Sequence, residues 1–357
     1  MTSPPHQPPR PRLPALGLLL ALSLALALLL ALVVGPGGVE AGRAMSLLFG
    51  HLRSLASTTP PALSESDAIA DAIVWSLRLP RALLAALVGA TLGVAGALTQ
   101  GLFRNPMAEP GVLGVSSGAA VASVLGFTLG LDALGVWVTP ALAAAGAVAV
   151  LLALLALAGT RHGVATLLLA GIALSALCSA LTTLMLALAS ERWDLGLKVV
   201  RWLMGSFEGR SWDHLAGAIV PALLGLGAGA WLRRDLDTLQ LGADTARSLG
   251  VQLERFQLLT IVSTALLVGT ATAVAGVIGF VGLIVPHIVR MLAGPGYRRL
   301  VPLSALLGAT LVVVVDTGSR AVGDFSFPPG VITSLLGAPF FLWILRRHAR
   351  RVGRDSA

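Results

Sequence analysis

The chain has 357 residues, of which 56% are hydrophobic and only 12% are charged, and its formal net charge is +8. This composition excludes an ordinary soluble domain, and the recurring apolar runs predict an all-α polytopic membrane protein with about ten transmembrane helices. The positive charge lies at the flanks of these runs, which indicates membrane topology and not nucleic-acid binding. Cys178 is the only cysteine, so a disulfide framework and a thiolate metal site are excluded.

The first part of the chain is predicted to contain a tail, a span and a polar excursion. Residues 1–12 are proline-rich and are expected to form a disordered cytoplasmic tail. Residues 13–34 form an apolar run too long for the core of a signal peptide, and we expect them to be the first span. Residues 35–79 are expected to lie outside the cytoplasm, with amphipathic pieces at 44–55 and 64–77.

Nine further apolar segments are predicted to span the membrane. They cover residues 82–103, 112–131, 136–158, 164–189, 214–232, 257–275, 277–293, 300–315 and 330–345. The run from 257 to 293 is too long for one crossing and has arginine at both ends, so a hairpin near Gly276 and Gly279 is expected. The membrane domain then covers residues 13–347, and residues 348–357 are a second cytoplasmic tail.

Arginine is concentrated after the even-numbered spans and at the C-terminal end. The loop arginines in question are Arg104, Arg161, Arg233, Arg234, Arg298 and Arg299. The positive-inside rule therefore places both termini and residues 232–256 in the cytoplasm.

Two segments with an offset of 180 positions resemble each other. The sequence Leu-Val-Gly occurs at 87–89 and again at 267–269, and Val-Ala-Gly occurs at 94–96 and again at 274–276. The two segments cross the membrane in opposite directions in the predicted topology. Such an inverted repeat is a recurrent architecture of transporters.

Three kinds of chemistry are disfavoured by the residues present. Lys198 is the only lysine and lies in Leu-Lys-Val, so the chain has no phosphate-binding P-loop and cannot itself hydrolyse ATP by that route. Residues 114–118, Gly-Val-Ser-Ser-Gly, match a nucleophile elbow, but they open an apolar helix, which favours close helix packing over an intramembrane serine hydrolase. The spans contain almost no carboxylates, and a lone His287 is better interpreted as a packing residue, which disfavours a chemiosmotic carrier.

Residues 232–256 contain the pattern of a short amphipathic helix between two spans. Gly242 opens the pattern, Asp244 or Thr245 is expected to cap it, and Gly250 is expected to end it. One apolar stripe is predicted from three residues at helical spacing, Leu241, Ala246 and Leu249. The segment is either a plain solvated connector or a docking helix for a soluble partner.

Two other segments also admit two interpretations. Residues 105–111, Asn-Pro-Met-Ala-Glu-Pro-Gly, cannot form a continuous helix, so they make either a tight cytoplasmic turn or a constriction at the mouth of a pore. Three arginines at outer ends of spans oppose the positive-inside tendency, namely Arg78, Arg81 and Arg320. Their side chains either extend to lipid headgroups or bind an acidic external protein.

The chain resembles the FecCD type of permease subunits, which belong to ABC importers for iron-siderophores, haem and cobalamin. The resemblance extends from about residue 13 to residue 347. Its motifs are Arg78-Leu-Pro-Arg81, residues 104–118, Leu168-Leu-Ala-Gly-Ile-Ala173, Trp202-Leu-Met-Gly-Ser206, residues 241–250, residues 279–287 and Gly337-Ala-Pro-Phe340.

This resemblance implies an inverted-repeat permease fold and a set of partners. The partners are a second permease subunit, most simply an identical one, two cytoplasmic ATPase subunits that bind ATP and magnesium, and an extracytoplasmic binding protein. No cofactor is implied for this chain itself, and its surroundings are the lipids of a bacterial inner membrane.

The resemblance also implies roles for particular residues. Docking of the binding protein is implied for Arg78, Arg81 and Arg320, and a cytoplasmic gate for Asn105, Pro106 and Met107. Coupling to the ATPase is implied for Leu241, Gly242, Ala243, Asp244, Thr245, Ala246, Arg247, Ser248, Leu249 and Gly250. A second gate before the fifth span is not carried over, because Val164 and Ala165 stand where some relatives have hydroxyl side chains.

The expected function is therefore import of a metal chelate by alternating access. An iron(III)-siderophore is the expected cargo, and haem or cobalamin is the alternative. A chemiosmotic carrier and an intramembrane hydrolase remain as more distant alternatives.

Overall fold

The computed structural model describes residues 13–35, 39–54, 65–158, 163–189, 192–321 and 327–355, and all regular structure in these ranges is helical. The predicted tail at 1–12 lies outside the described residues. The last helix continues to Asp355 and so includes most of the predicted tail at 348–357, whose cytoplasmic location stays a prediction. The end of the bundle that the sequence places in the cytoplasm is called the inner end below, and the opposite one the outer end.

Fourteen α-helices and three short helical turns follow one another in the described ranges. The first half contains α1 (Leu13–Val33), α2 (Ala41–Ser54), α3 (Glu65–Asp71), a π-helical turn (Ala72–Arg78), α4 (Leu79–Leu102), a 3₁₀ turn (Pro110–Leu113), α5 (Val115–Thr128), another 3₁₀ turn (Leu131–Leu134), α6 (Val138–Ala158) and α7 (Gly163–Ala189). The second half contains α8 (Trp193–Leu203), α9 (Trp212–Leu239), α10 (Ala243–Ser248), α11 (Leu253–Ala275), α12 (Val281–Ala293), α13 (Tyr297–Ala321) and α14 (Pro329–Asp355).

Ten apolar helices correspond one by one to the ten predicted spans. Seven are long and apolar enough to cross a membrane. Six of them are α1, α6, α7, α9, α11 and α13, and the seventh is the segment Asp67–Leu102, which contains α4. Three are shorter, namely α5, α12 and the apolar part of α14 up to Ile344. The predicted fold class is thereby confirmed, whereas the amphipathic helix α8 was not predicted.

Helix α4 is the centre of the bundle. Every residue from Thr91 to Leu102 is buried, and α4 packs against α9, α11, α12 and α13. Glycines allow this contact, because a Cβ on Gly96 would overlap the carbonyl oxygen of Gly282. Small residues therefore set the helix spacing, as expected where lipid removes much of the hydrophobic driving force. The two segments related by the sequence repeat belong to α4 and α11, which contact each other directly.

The connection between α4 and α5 is inserted into the bundle. A Cβ on Gly114 would lie 3.2 Å from Val150 on α6 and 3.3 Å from the carbonyl oxygen of Gly171 on α7. Both residues are eight positions from the inner ends of their helices, which is about 12 Å along a helix axis. Residues 110–114 therefore do not lie in a turn at the inner surface, and α5 begins inside the bundle.

Helix α12 also begins inside the bundle. Its second residue, Gly282, lies against the backbone of Leu92 and Gly96 in the middle of α4. The sequence predicted a hairpin near Gly276, and Gly276 does end α11 with a positive φ of 70°. The hairpin turns within the interior of the bundle and not at its outer surface, which explains why α12 has only 13 residues.

Candidate functional site

The three outer arginines lie close together around Asp316. Arg81 donates two hydrogen bonds from Nε and Nη2 to the Asp316 carboxylate, the shorter of them 2.7 Å long. Arg320 is one helical turn after Asp316 and forms a second ion pair with it at 3.3 Å. The Asp316 side chain is only 2% exposed, so this carboxylate is an internal counter-ion for two cations.

Arg78 and Arg320 also hold the C-terminal end of α1. Arg78 donates to the carbonyl oxygens of Leu32, Val33 and Gly35 at 2.7–2.9 Å. Arg320 donates to the carbonyl oxygens of Ala31 and Val34. The last carbonyls of a helix have no partners within it and carry partial negative charge, so two guanidinium groups both satisfy and stabilise them.

These contacts are not those that the sequence suggested for the arginines. Arg78 and Arg320 are buried, and the ring of partners just described is made of backbone and of Asp316, so extension to lipid headgroups is wrong for both. Arg81 is the most exposed of the three, with 15% of its side chain accessible. Docking of an external protein stays a prediction for this cluster, and no sequence pattern revealed its hold on α1.

The predicted gate residues form a compact turn at the inner end of α4. The side-chain oxygen of Asn105 accepts a hydrogen bond from the backbone N–H of Met107 at 2.9 Å, which is an Asx turn. Arg104 has a positive φ of 44°, so the chain reverses there. Asn105 and Pro106 are exposed, whereas Met107 is half-buried. The turn lies at the inner end of the bundle, where the mouth of a pore would be. Gating by its residues stays a prediction.

Glu109 connects this turn to the other inserted connection. Its Oε1 accepts a hydrogen bond from the backbone N–H of Phe280 at 2.8 Å. Phe280 is the N-cap of α12 and has a positive φ of 65°. A carboxylate at a helix N-terminus is stabilised by the helix dipole, so Glu109 fastens the loop after α4 to the start of α12. The sequence placed Glu109 in a loop and gave it no role.

Ser116 does not lie in a nucleophile elbow. That motif requires a strand before the serine, and here a 3₁₀ turn and Gly114 precede it. A Cβ on Gly118 would overlap the Val150 side chain and the carbonyl oxygen of Gly146, so the glycine serves the packing of α5 on α6. His287 lies edge-on against the Phe340 ring with centroids 6.2 Å apart, in agreement with a packing role.

The segment 232–256 is mostly helical. Helix α9 continues past the predicted end of its span to Leu239, then α10 follows, and α11 begins at Leu253. Gly242, and not Asp244 or Thr245, is the N-cap, because its carbonyl accepts the first helical bond from Ala246. Gly250 ends α10 as predicted: bonds from Gly250 to Arg247 and from Val251 to Ala246 form a Schellman motif.

The predicted apolar stripe on α10 is divided between two surfaces. Ala246 is buried against the protein, whereas Leu241 and Leu249 are 66% and 63% exposed. The division arises because a six-residue helix turns Ala246 toward α9 and leaves its ends outside. Arg247 pairs with Asp244 at 3.1 Å, and both side chains are largely exposed. The face of α10 that points away from the rest of the protein is thus a small surface with apolar and charged side chains.

A carboxylate fixes α10 to the rest of the bundle through the end of α9. Asp237 accepts hydrogen bonds from the backbone N–H groups of Tyr297 at 2.6 Å and Arg298 at 3.3 Å. These are the first residues of α13, so Asp237 caps that helix. The position of the second gate, which was not carried over to this chain, falls on the first turn of α7, where Ala165 is exposed and the side chain of Val164 lies outside the described part.

Comparison with known proteins shows that the family match and the similar proteins agree with each other. The profile of the FecCD transport family matches residues 23–347. An uncharacterized ABC transporter permease protein, YvrB of Bacillus subtilis, is 41% identical over 294 residues, which cover 81% of this chain and 82% of the relative. The vitamin B12 import system permease protein BtuC of Salmonella typhimurium is 41% identical over 286 residues, which cover 78% and 85%.

A solved structure has the same fold. It is described as an inward-facing conformation of a putative metal-chelate type ABC transporter, and it is 30% identical with a TM-score of 0.80 over 94% of this chain and 99% of the other. A family match over most of the chain, two relatives at 41% identity and a shared fold agree. This multi-pass membrane protein therefore belongs to the FecCD transport family of ABC importer permeases.

Proposed function

We propose that the chain moves a bulky metal chelate through the membrane by alternating access, driven by two separate ATPase subunits. The observation that carries the proposal is α10, a short helix flanked by the exposed Leu241 and Leu249 at the inner end. Exposed apolar side chains beside charged ones fit a cleft of a soluble partner. The only lysine, Lys198, lies in α8 and not in a phosphate-binding loop, so the energy must come from another chain.

Helix α13 supports transmission of movement from α10 to the outer end. Its first residues are bound by Asp237, two residues before the end of α9. Its last turns carry Asp316 and Arg320, which contact Arg81 and α1. A helix of 25 residues is about 37 Å long and transmits a displacement as a rigid body. Both ends of the permease are thus attached to one element.

Docking of an acidic binding protein is proposed for the outer cluster. Arg81 would contact the partner directly, because it is the most exposed member. Arg78 and Arg320 would hold α1 in the position that docking requires. A second permease subunit is also proposed, on the ground of the family match.

Two cargo classes are proposed. An iron(III)-siderophore is the class expected from the resemblance. Cobalamin is favoured by a specific observation, the 41% identity to a vitamin B12 import permease. Uptake of radio-labelled cobalamin and of radio-labelled ferric siderophores into vesicles that contain the complete importer separates the two classes. If the vesicles take up neither cobalamin nor a ferric siderophore, the proposed cargo is contradicted.

The coupling proposal is tested in the reconstituted importer with its ATPase and binding protein. Leu249→Asp is expected to abolish cargo uptake while the ATPase still hydrolyses ATP, because the contact that transmits closure is lost. Gln252→Asp places the same charge at an exposed position beyond α10 and is the matched control. Normal coupled uptake in Leu249→Asp would refute the role of α10.

The docking proposal is tested by the affinity of the permease for its binding protein. Arg81→Glu is expected to weaken association at least tenfold, and the loss should shrink at high salt because the contact is ionic. Arg104→Glu, at the inner end, is the control. Equal affinities for the two variants would contradict docking at this cluster.

A further inference from the structure

A long apolar groove lies on the outside of the bundle between α6 and α9, with α11 as its floor. Its volume is about 430 Å³. Small residues make the depression, and they include Ala144, Ala147, Gly217, Ala218, Ala265 and Gly269. Val148 and Val262 on its walls are 52% and 39% exposed, so the groove is open toward the space that a bilayer fills.

The groove has the length of one lipid chain. On α11 it extends from Val262 to Val274, and 12 residues of helix measure about 18 Å. One leaflet of hydrocarbon is about 15 Å thick, half of the ~30 Å core. Trp137 and His214 form the outer end of the groove, with stacked rings whose centroids are 6.3 Å apart. Tryptophan is common at the level of lipid headgroups.

A polar cavity of about 430 Å³ adjoins the outer end of the groove, and His214 lines both. Its charged lining residues are Asp132, Lys198, Arg201, Glu208 and Arg210. Asp132 and Lys198 form an ion pair with each other, and Arg201 and Glu208 are exposed. Arg210 differs from these four residues, because it is neither in an ion pair among the described residues nor fully exposed to solvent.

Arg210 has no acidic partner within ion-pair distance in the part of the chain that the structure describes. Its Nη1 lies 3.1 Å from His214 Nε2, and its Nε is buried without a hydrogen-bond acceptor. Burial lowers the pKa of Arg210 to about 10, so the group is still a cation at neutral pH. The Arg210 side chain is only partly exposed, so a cation there without a counter-ion is poorly solvated, and an anion would relieve it.

A second donor in the same cavity also lacks an acceptor. Trp202 on α8 is 7% exposed, and its indole Nε1–H has no partner among the described residues. Buried donors are nearly always satisfied by protein, water or ligand. An arginine without an acidic partner among the described residues, at the end of an apolar groove, favours a ligand with an anionic oxygen group attached to a hydrocarbon chain, and Trp202 lines the same cavity.

We propose that this groove and cavity bind one anionic phospholipid of the outer leaflet, with an acyl chain between α6 and α9 and the phosphate near Arg210 and Trp202. Guanidinium groups match phosphate oxygens in geometry and charge. The lipid would join α6, α8, α9 and α11 at the outer end. The site is separate from the outer arginine cluster and from α10, so the inference does not depend on the proposed transport function.

The test is lipid retention by the purified full-length permease. The protein is delipidated in detergent, titrated with phosphatidylglycerol or phosphatidylcholine, and bound lipid is counted by native mass spectrometry. We expect at least a tenfold preference for phosphatidylglycerol. Arg210→Gln should reduce this preference to near parity, while the matched variant Arg192→Gln, at an exposed arginine outside the cavity, keeps it.

The groove is tested by filling it from an exposed position. Ala144→Phe should lower binding of both lipids at least fivefold, while Ala145→Phe, exposed on the same helix but outside the groove, should not. Equal retention by the two phenylalanine variants, or no headgroup preference in the wild type, would overturn the proposal. Displacement of phosphatidylglycerol by millimolar inorganic phosphate would also overturn it, since the cavity would then be a free-anion site. So would loss of transport in Arg210→Gln with unchanged lipid binding, which would assign the cavity to the cargo.

Discussion

The ion pairs of Asp316 lead to a quantitative prediction for Asp316→Asn. The substitution keeps the shape of the side chain but removes the carboxylate with which Arg81 and Arg320 pair among the described residues. Breaking a buried pair by removing one partner costs about 3–5 kcal/mol, because an uncompensated charge stays in a poorly solvated site. We therefore expect the free energy of unfolding to fall by about 3–5 kcal/mol.

An exposed pair of the same residue types provides the control. Asp244 and Arg247 are 97% and 65% exposed, and pairs of this kind contribute about 0.3–0.5 kcal/mol. Asp244→Asn should therefore have a barely measurable effect on the isolated permease. Arg81→Gln should fall between the two variants, because Asp316 keeps Arg320 as a partner.

The measurement is equilibrium unfolding of the purified permease in mixed micelles of mild detergent and dodecyl sulfate. A loss for Asp316→Asn within about 1 kcal/mol of that for Asp244→Asn would refute the reasoning. It would mean that water reaches the cluster and solvates the two guanidinium groups.

Three further predictions concern packing, capping and pH. Gly96→Ala should destabilise the permease by at least about 1–3 kcal/mol, because its Cβ would overlap Gly282, whereas Gly227→Ala, which faces open space, should be neutral or stabilising by thermal unfolding. Glu109→Gln should keep a melting temperature close to that of the wild type, since an amide oxygen still accepts the Phe280 N–H. Glu109→Ala should lower the melting temperature, because that N–H loses its acceptor, and equal losses in the two variants would contradict the cap. Burial lowers the pKa of Arg210 to about 10 in the folded chain, below its value in the unfolded chain, so above about pH 10 the unfolded state binds more protons and stability rises with pH. Arg210→Gln should lack that rise in pH-dependent unfolding.

The sequence determined the number and kind of the membrane-spanning elements. Apolar length defined ten spans, and a helix was expected at each of them. The stop of α10 at Gly250 was also predictable, because a Schellman motif requires one residue of positive φ and glycine adopts it readily. Helix α8 was missed, although Val199 and Trp202 are three positions apart and both buried, which is a short amphipathic signal.

The tertiary structure alone decided the partners of the polar groups. Nothing local shows that Arg78 binds carbonyls 43–46 residues earlier in the chain, or that Arg81 meets Asp316 across 235 residues. The depth of the loop before α5 was equally hidden, since Pro and Gly signal a break but not its level in the bundle. Hydrophobic patterns are local and follow from the bilayer, whereas hydrogen bonds and ion pairs depend on which helices the fold brings together. The sequence therefore determined which segments cross the membrane, and packing decided what their charged residues hold.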